Sequence, residues 1–216
     1  MTESEPVLYY NPRSRARVVH WLLEELGVPY RIELLRMDRR AHKDAAYLAI
    51  NPMGKVPALV HRGVTITETP AIVTYLADAF PEAGLAPAPT EPARGTYLRW
   101  LFFGSGCVEP AMTDRIIGRA DVDQVGSGRQ GYGTYQDTMN TLEYAITPGP
   151  FVLGDKFSAV DLYLSSQIGW GLMSNSIDPR PEFQAYLARC SDRPGFKRFM
   201  QQSAEWIERY KALQAS

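Results

Sequence analysis

The chain has 216 residues, 45% of them hydrophobic, and a formal net charge of −1. That is enough apolar material for one large or two small cores, and a nearly balanced charge without a long basic run excludes a nucleic-acid reader. Cys107 and Cys190 are the only cysteines, too few for a disulfide framework or a cysteine-based metal centre, so no metal is expected and a reducing cytoplasm is the expected compartment. No apolar run approaches the ~20 residues of a membrane helix, and the polar, acidic first six residues lack a signal-peptide core, so neither membrane association nor export is expected.

Val7 to Tyr10 reads as a buried strand, stopped by Asn11-Pro12-Arg13. A helix follows, with Ser14 suited to its N-cap, Val18, Val19, Leu22, Leu23 and Leu26 on one face, and Gly27 at its C-terminal cap. Arg13, Arg15 and Arg17 crowd its first turn, where the helix dipole favours anions, so either an anion or acids elsewhere must answer them. Tyr30 to Leu35 is a second strand and Asp44 to Ile50 a short helix.

The stretch from Asn51 to Thr69, NPMGKVPALVHRGVTITET, then reads as loop, strand, hairpin and strand. Pro57 cannot donate to a ladder and marks a strand start, an edge or a cis turn. At the far end, Thr69 suits an N-cap and Pro70 the first position of a helix running to Phe80. A backbone edge beside Pro57 and an amide-rich helix start together could hold an extended, charged, peptide-like ligand. They are equally consistent with an ordinary connection between strands and a well-capped helix.

The order βαβαββα over about eighty residues, with a crossover first and a hairpin last, predicts a four-stranded mixed sheet in a thioredoxin-like domain. Pro81 to Pro92, PEAGLAPAPTEP, has no periodicity, so the expected organisation is a domain at 1–81, a linker at 82–92 and an all-helical domain at 93–216. In the latter, Arg94 to Ile117 reads as a long helix kinked near Gly104, Gly106 and Pro110. The segment from Asp121 to Gly133 is glycine-rich and expected to be mobile, and Tyr132, Tyr135, Met139, Leu142 and Ile146 form a helical stripe that reads as core. Ser158-Ala159-Val160-Asp161 fits a capping box, with Phe157 as a hydrophobic staple onto Leu162. The helix it starts carries Trp170, and further helices are expected at Pro181–Arg189 and Pro194–Leu213.

The elements Asn51-Pro52-Met53-Gly54-Lys55-Val56-Pro57 and Glu68-Thr69-Pro70-Ala71-Ile72, followed by a helical half with Phe157-Ser158-Ala159-Val160-Asp161, resemble the cytosolic glutathione transferases over nearly the whole chain. The pattern looks closest to bacterial, theta-like, serine-type members. The resemblance implies an enzyme that conjugates the thiolate of glutathione, a co-substrate, to an electrophilic, mostly apolar small molecule, with no tightly bound cofactor. It also implies a cytoplasmic homodimer. A non-catalytic glutathione-binding or protein-interaction module of the same fold is the alternative.

By the same resemblance Pro57 is cis and the Val56 backbone pairs with the cysteine of glutathione. Glu68 and Thr69 take its γ-glutamyl end, while Lys55 and His42 face the glycine carboxylate. A free thiol titrates near ~8.5 and needs a donor to become a thiolate at neutral pH. Ser14 is the candidate hydroxyl. Here the chain departs from the serine-type pattern, because Ser14 matches the second serine of that motif and Asn11 occupies the position of the catalytic hydroxyl. Asn11, Tyr9 and Tyr10 therefore stay open as donors. The first loop contains no cysteine, which argues against the cysteine-type members and their mixed-disulfide chemistry. The family's electrophile pocket would draw on Trp100, Phe103, Cys107, Met112 and Trp170.

Overall fold

In the computed structural model, which describes residues 5–119 and 128–215, contacts divide the chain into two compact units. One holds the residues up to Ala83 together with those from Arg193 onward, and the other holds Gly84–Asp192. The sequence assigns everything beyond residue 92 to a helical domain, whereas by contacts the last helix packs with the first unit.

In the first unit, β1 (Val7–Tyr10) pairs in parallel with β2 (Arg31–Leu34) and antiparallel with β3 (Ala58–His61), which pairs antiparallel with β4 (Val64–Thr67). The sheet order β2-β1-β3-β4 is the mixed thioredoxin-like sheet expected from the chain order. Helix α1 (Ala16–Leu26) buries Val19, Leu22 and Leu23 and ends at Gly27, whose φ of 66° is the left-handed conformation that glycine adopts without a Cβ penalty. The helix starts one residue late for a Ser14 cap, since the cap position falls on Arg15. A short turn (Ala41–Lys43), α2 (Ala45–Leu48) and α3 (Thr69–Ala79) complete the pattern.

The last helix of the chain, named α9 below (Pro194–Ala215), docks on α1. Trp21 meets Phe196 edge-on at 4.8 Å, Glu24 pairs with Arg198 at 3.1 Å and Glu25 with Arg193 at 2.9 Å. Gly195 permits this approach, because a Cβ there would stand 2.5 Å from the Glu25 carboxyl carbon. Two of the arginines crowded around the start of α1 also find their place here. Arg17 donates to Ser203 Oγ and lies 5.0 Å from the Phe199 ring, and Arg13 stands over Tyr210 at 6.0 Å. Aromatic faces and a hydroxyl on α9 answer charges that the helix dipole would oppose.

In the second unit the expected long helix is α4 (Ala93–Phe103) and α5 (Glu109–Ile116), joined by one wide turn at Gly104–Val108. There the Glu109 N–H reaches back to the Gly104 carbonyl, which also accepts from Gln167 Nε2 at 2.9 Å. Helices α6 (Tyr135–Ile146), α7 (Ala159–Met173) and α8 (Pro181–Ser191) follow. Tyr135, Met139, Leu142 and Ile146 are buried, so the aromatic stripe is core. At the start of α7 the Asp161 carboxylate accepts from the Ser158 N–H at 2.9 Å and its hydroxyl at 2.7 Å. Phe157 and Leu162 are both buried there. Part of the glycine-rich stretch from Asp121 to Gly133 lies outside the described residues.

Candidate functional site

The strand registers bring the sequence-predicted residues of the first unit to one end of the sheet. Tyr9 faces Ala58 across β1 and β3, Ala58 faces Thr67 across β3 and β4, and Tyr10 lies level with Leu34 on β2. Beyond these last pairs β1 runs on into Asn11, β4 into Glu68 and Thr69 and β2 into Leu35, while the chain enters β3 from Val56 and Pro57. Antiparallel pairing makes this possible: β1 and β4 end where β3 begins.

The loop before β3 is held by side chains. Tyr47 Oη donates to the Lys55 carbonyl at 2.5 Å, and Asn51 Nδ2 donates to the same oxygen at 2.9 Å. Asn51 Oδ1 takes the Met53 N–H at 3.1 Å, and the residue is 2% exposed. Gly54 adopts a φ of 60°, and a Cβ there would stand 2.6 Å from the His42 carbonyl, so glycine is needed for both backbone shape and space. The Val56–Pro57 peptide bond is cis, as the resemblance implies. Val56 is partly exposed and lies outside the β3 pairings. The sequence shows Asn51 as part of the loop motif but not the side-chain bonds that it and Tyr47 make to the Lys55 carbonyl.

At the other side of this end, Glu68 rather than Thr69 caps α3, and the cap has no side-chain hydrogen bond. The helix begins one residue earlier than expected because Glu68 takes φ 64° and ψ 117°, a conformation that costs a residue with a Cβ ~1–3 kcal/mol. Thr69 is 8% exposed, Glu68 is exposed, and the Glu68 carboxylate has no partner among the described residues. The arrangement sets one carboxylate beside the unpaired first N–H groups of a helix, a combination suited to a zwitterion.

His42 stands in the turn at Ala41–Lys43. Burial and the cations Lys43, Arg40 and Lys55 hold its imidazole below the ordinary value, and its Nδ1 is buried without a partner among the described residues. Lys43 Nζ donates to the Met53 carbonyl at 2.9 Å, while Lys55 is exposed. These groups make the neighbourhood of the Gly54 turn electropositive.

The candidate sulfur donors sort by environment. Tyr10 is fully buried, edge-on to His20 at 5.3 Å and to Trp206 at 6.3 Å, inside the packing of α1 and α9. Tyr9 points to the other face, its ring 5.5 Å from Tyr47, and burial followed by Glu33 pushes its phenol up. The Asn11 side chain is 3% exposed and committed to backbone, donating from Nδ2 to the Leu35 carbonyl at 3.1 Å and accepting the Arg13 N–H at 2.9 Å. Ser14 is partly exposed. Its hydroxyl donates to the Asn11 carbonyl at 2.7 Å and accepts the Ala16 N–H at 3.2 Å.

A family model, Glutathione S-transferase, N-terminal domain, matches residues 5–78. A curated maleylacetoacetate isomerase of Pseudomonas aeruginosa is 30% identical over 171 residues, covering 74% of this chain and 77% of the relative. A bacterial glutathione transferase, BphK, solved as a ternary complex, is 30% identical with a TM-score of 0.74, covering 92% of this chain and 99% of that one. The chain belongs to the glutathione S-transferase family. A glutathione transferase homologue from Sulfitobacter, solved with bound glutathione, is 27% identical with a TM-score of 0.73, covering 92% of this chain and 98% of that one.

Within this glutathione S-transferase, the second-unit residues named from the sequence differ in exposure. Trp100 and Met112 are buried, Phe103 and Cys107 are partly exposed, and Trp170 is 41% exposed. Burial pushes the Cys107 thiol above its ordinary value, so it does not stand as a ready thiolate. Among the described residues no group of three or more His, Cys, Asp or Glu could hold a metal, and no helix is long and apolar enough to cross a membrane.

Proposed function

We propose that this glutathione S-transferase binds glutathione across the end of its sheet and joins the thiolate to an electrophilic, mostly apolar small molecule. The observation that supports the reading is the shared sheet end: β3 begins, after the cis Val56–Pro57 bond, at the end where β4 runs out toward the α3 start and β1 toward the Asn11–Ser14 turn. In this reading Val56 offers its backbone to the cysteine of glutathione, as an added strand would. The Glu68 carboxylate takes the γ-glutamyl ammonium, and the Thr69 hydroxyl and N–H take the carboxylate beside it. Lys55 and His42 face the glycine end, where one cation and one neutral imidazole suit a single carboxylate.

Ser14 is the proposed donor to sulfur. The Ala16 N–H that donates into its oxygen polarises the hydroxyl, and an anionic sulfur is a stronger acceptor than the neutral Asn11 carbonyl, so the proton would turn to sulfur when the thiolate arrives. The thiolate then attacks the electrophilic carbon, forms the carbon–sulfur bond and either expels an anionic leaving group or adds across an activated double bond. No tightly held cofactor takes part. The proposed setting is a cytoplasmic homodimer, whose sedimentation at micromolar concentration should give a dimeric boundary, a purely monomeric one speaking against it.

The direct test is calorimetric titration with glutathione and turnover with a general aryl halide. Saturable binding with conjugate formation is expected. No binding at millimolar glutathione would overturn the reading.

A further inference from the structure

We infer that Asn11 is a positioning residue that acts on glutathione's sulfur only through Ser14. This rests on the proposed role of Ser14 above and adds a residue to it. Asn11 uses each of its outward polar groups on a different partner. Its Nδ2 donates to the Leu35 carbonyl at 3.1 Å, its Oδ1 accepts the Arg13 N–H at 2.9 Å, and its main-chain carbonyl accepts from Ser14 Oγ at 2.7 Å. The Leu35 N–H in turn donates to the Tyr10 carbonyl at 2.8 Å, so the turn after β1 is fastened to the end of β2 at two consecutive points. With 3% of its surface exposed, the amide has no open face to offer a ligand.

The physical consequence is a fixed carbonyl. The Asn11 side chain closes a two-residue turn onto Arg13 and anchors it to the sheet; the main-chain oxygen of the same residue then sets where the Ser14 proton waits. Without the side chain, the turn keeps only the Leu35 N–H bond to the Tyr10 carbonyl and loses those to the Leu35 carbonyl and the Arg13 N–H, and the hydroxyl loses its fixed starting orientation while the glutathione-binding groups at Val56, Glu68 and Thr69 keep theirs. Asn11 therefore belongs to the chemistry step more than to binding, although its place in the sequence invites the opposite role, direct donation to sulfur.

A double-mutant cycle separates the two roles. Asn11→Ala and the nearly isosteric Asn11→Asp, which keeps the acceptor for Arg13 and loses the donor to Leu35, are made in the wild type and in Ser14→Ala. Expected are a ~10-fold fall in kcat with KM for glutathione changed less than ~3-fold, an upward move of the rising limb of the pH–rate profile, and no further loss in the Ser14→Ala background, as for groups that act as a unit. If Asn11→Ala does not fold by circular dichroism, the Asn11→Asp cycle decides alone. Additive losses from Asn11 and Ser14, or an Asn11 variant with an unmoved pH profile, would overturn the inference while leaving glutathione binding intact. Failure of the wild type to bind glutathione in the same calorimeter marks failure of the underlying reading instead.

Discussion

Two serines, each close to the start of a helix, show how similar chemistry can be closed in one place and open in another. Ser158 is 3% exposed, and its hydroxyl and N–H both donate to Asp161, a fully buried carboxylate that also accepts the Val152 N–H at 2.8 Å and the Tyr186 hydroxyl at 2.7 Å. Ser14 is partly exposed and bonds only to neutral backbone groups. A hydroxyl locked onto a buried carboxylate has no stronger acceptor to turn to. One resting on a neutral carbonyl does, as soon as an anion arrives.

Breaking the closed node should have the largest effect on stability. Asp161→Ala leaves four donors, three of them buried, without this acceptor and should cost ~3–5 kcal/mol in urea unfolding. Glutathione should still bind to whatever fraction folds at the wild-type affinity; a loss under 1 kcal/mol would remove the contrast between the two serines. At the open end, Glu68→Gln removes a charge that has no partner among the described residues, so folding should hardly change while glutathione affinity falls ~10–100-fold, or ~1.5–3 kcal/mol for a charged hydrogen bond. An unchanged dissociation constant by calorimetry would take Glu68 out of the site.

A smaller effect comes from a second buried polar node. His20 is fully buried between α1 and α9, with Nε2 at 3.0 Å from Tyr30 Oη and 3.2 Å from Gln202 Oε1. Burial lowers its pKa; the Gln202 hydrogen bond and Glu24 oppose that shift, and Arg17 adds to it. The unfolded imidazole takes up a proton near ~6.5 and the folded one only at lower pH. Stability of this clasp is therefore full above that range and falls as pH drops below it. His20→Gln should flatten that acid slope in thermal melts, and an unchanged slope would assign it to other groups.

Much of the fold was legible because its signals are local. Gly27, the four β-runs and the Ser158–Asp161 pair each act within a few residues, and the structure places them as read. The helix starts at Ala16 and Thr69 each shift by about one residue from the expected caps, since backbone shape at Arg15 and Glu68 decided them and side-chain type was the only available guide. The backbone contacts of Asn11 and Tyr47 are not legible for a different reason. Their bonds to Leu35 and Lys55 span 24 and 8 residues, and partners at such separations leave no periodic trace. The docking of α9 on α1 is equally non-local, joining Glu24 to Arg198 over 174 residues, so a linker-based division could not show it.

The most direct test of the open serine is the ultraviolet absorbance of the thiolate of bound glutathione, titrated with pH in the wild type and in Ser14→Ala. Expected are a thiol well below the ordinary ~8.5 in the wild type and a return toward that value in the variant, with glutathione still bound. A wild-type thiol that titrates like free glutathione, or one that stays lowered without the Ser14 hydroxyl, would contradict the role of Ser14.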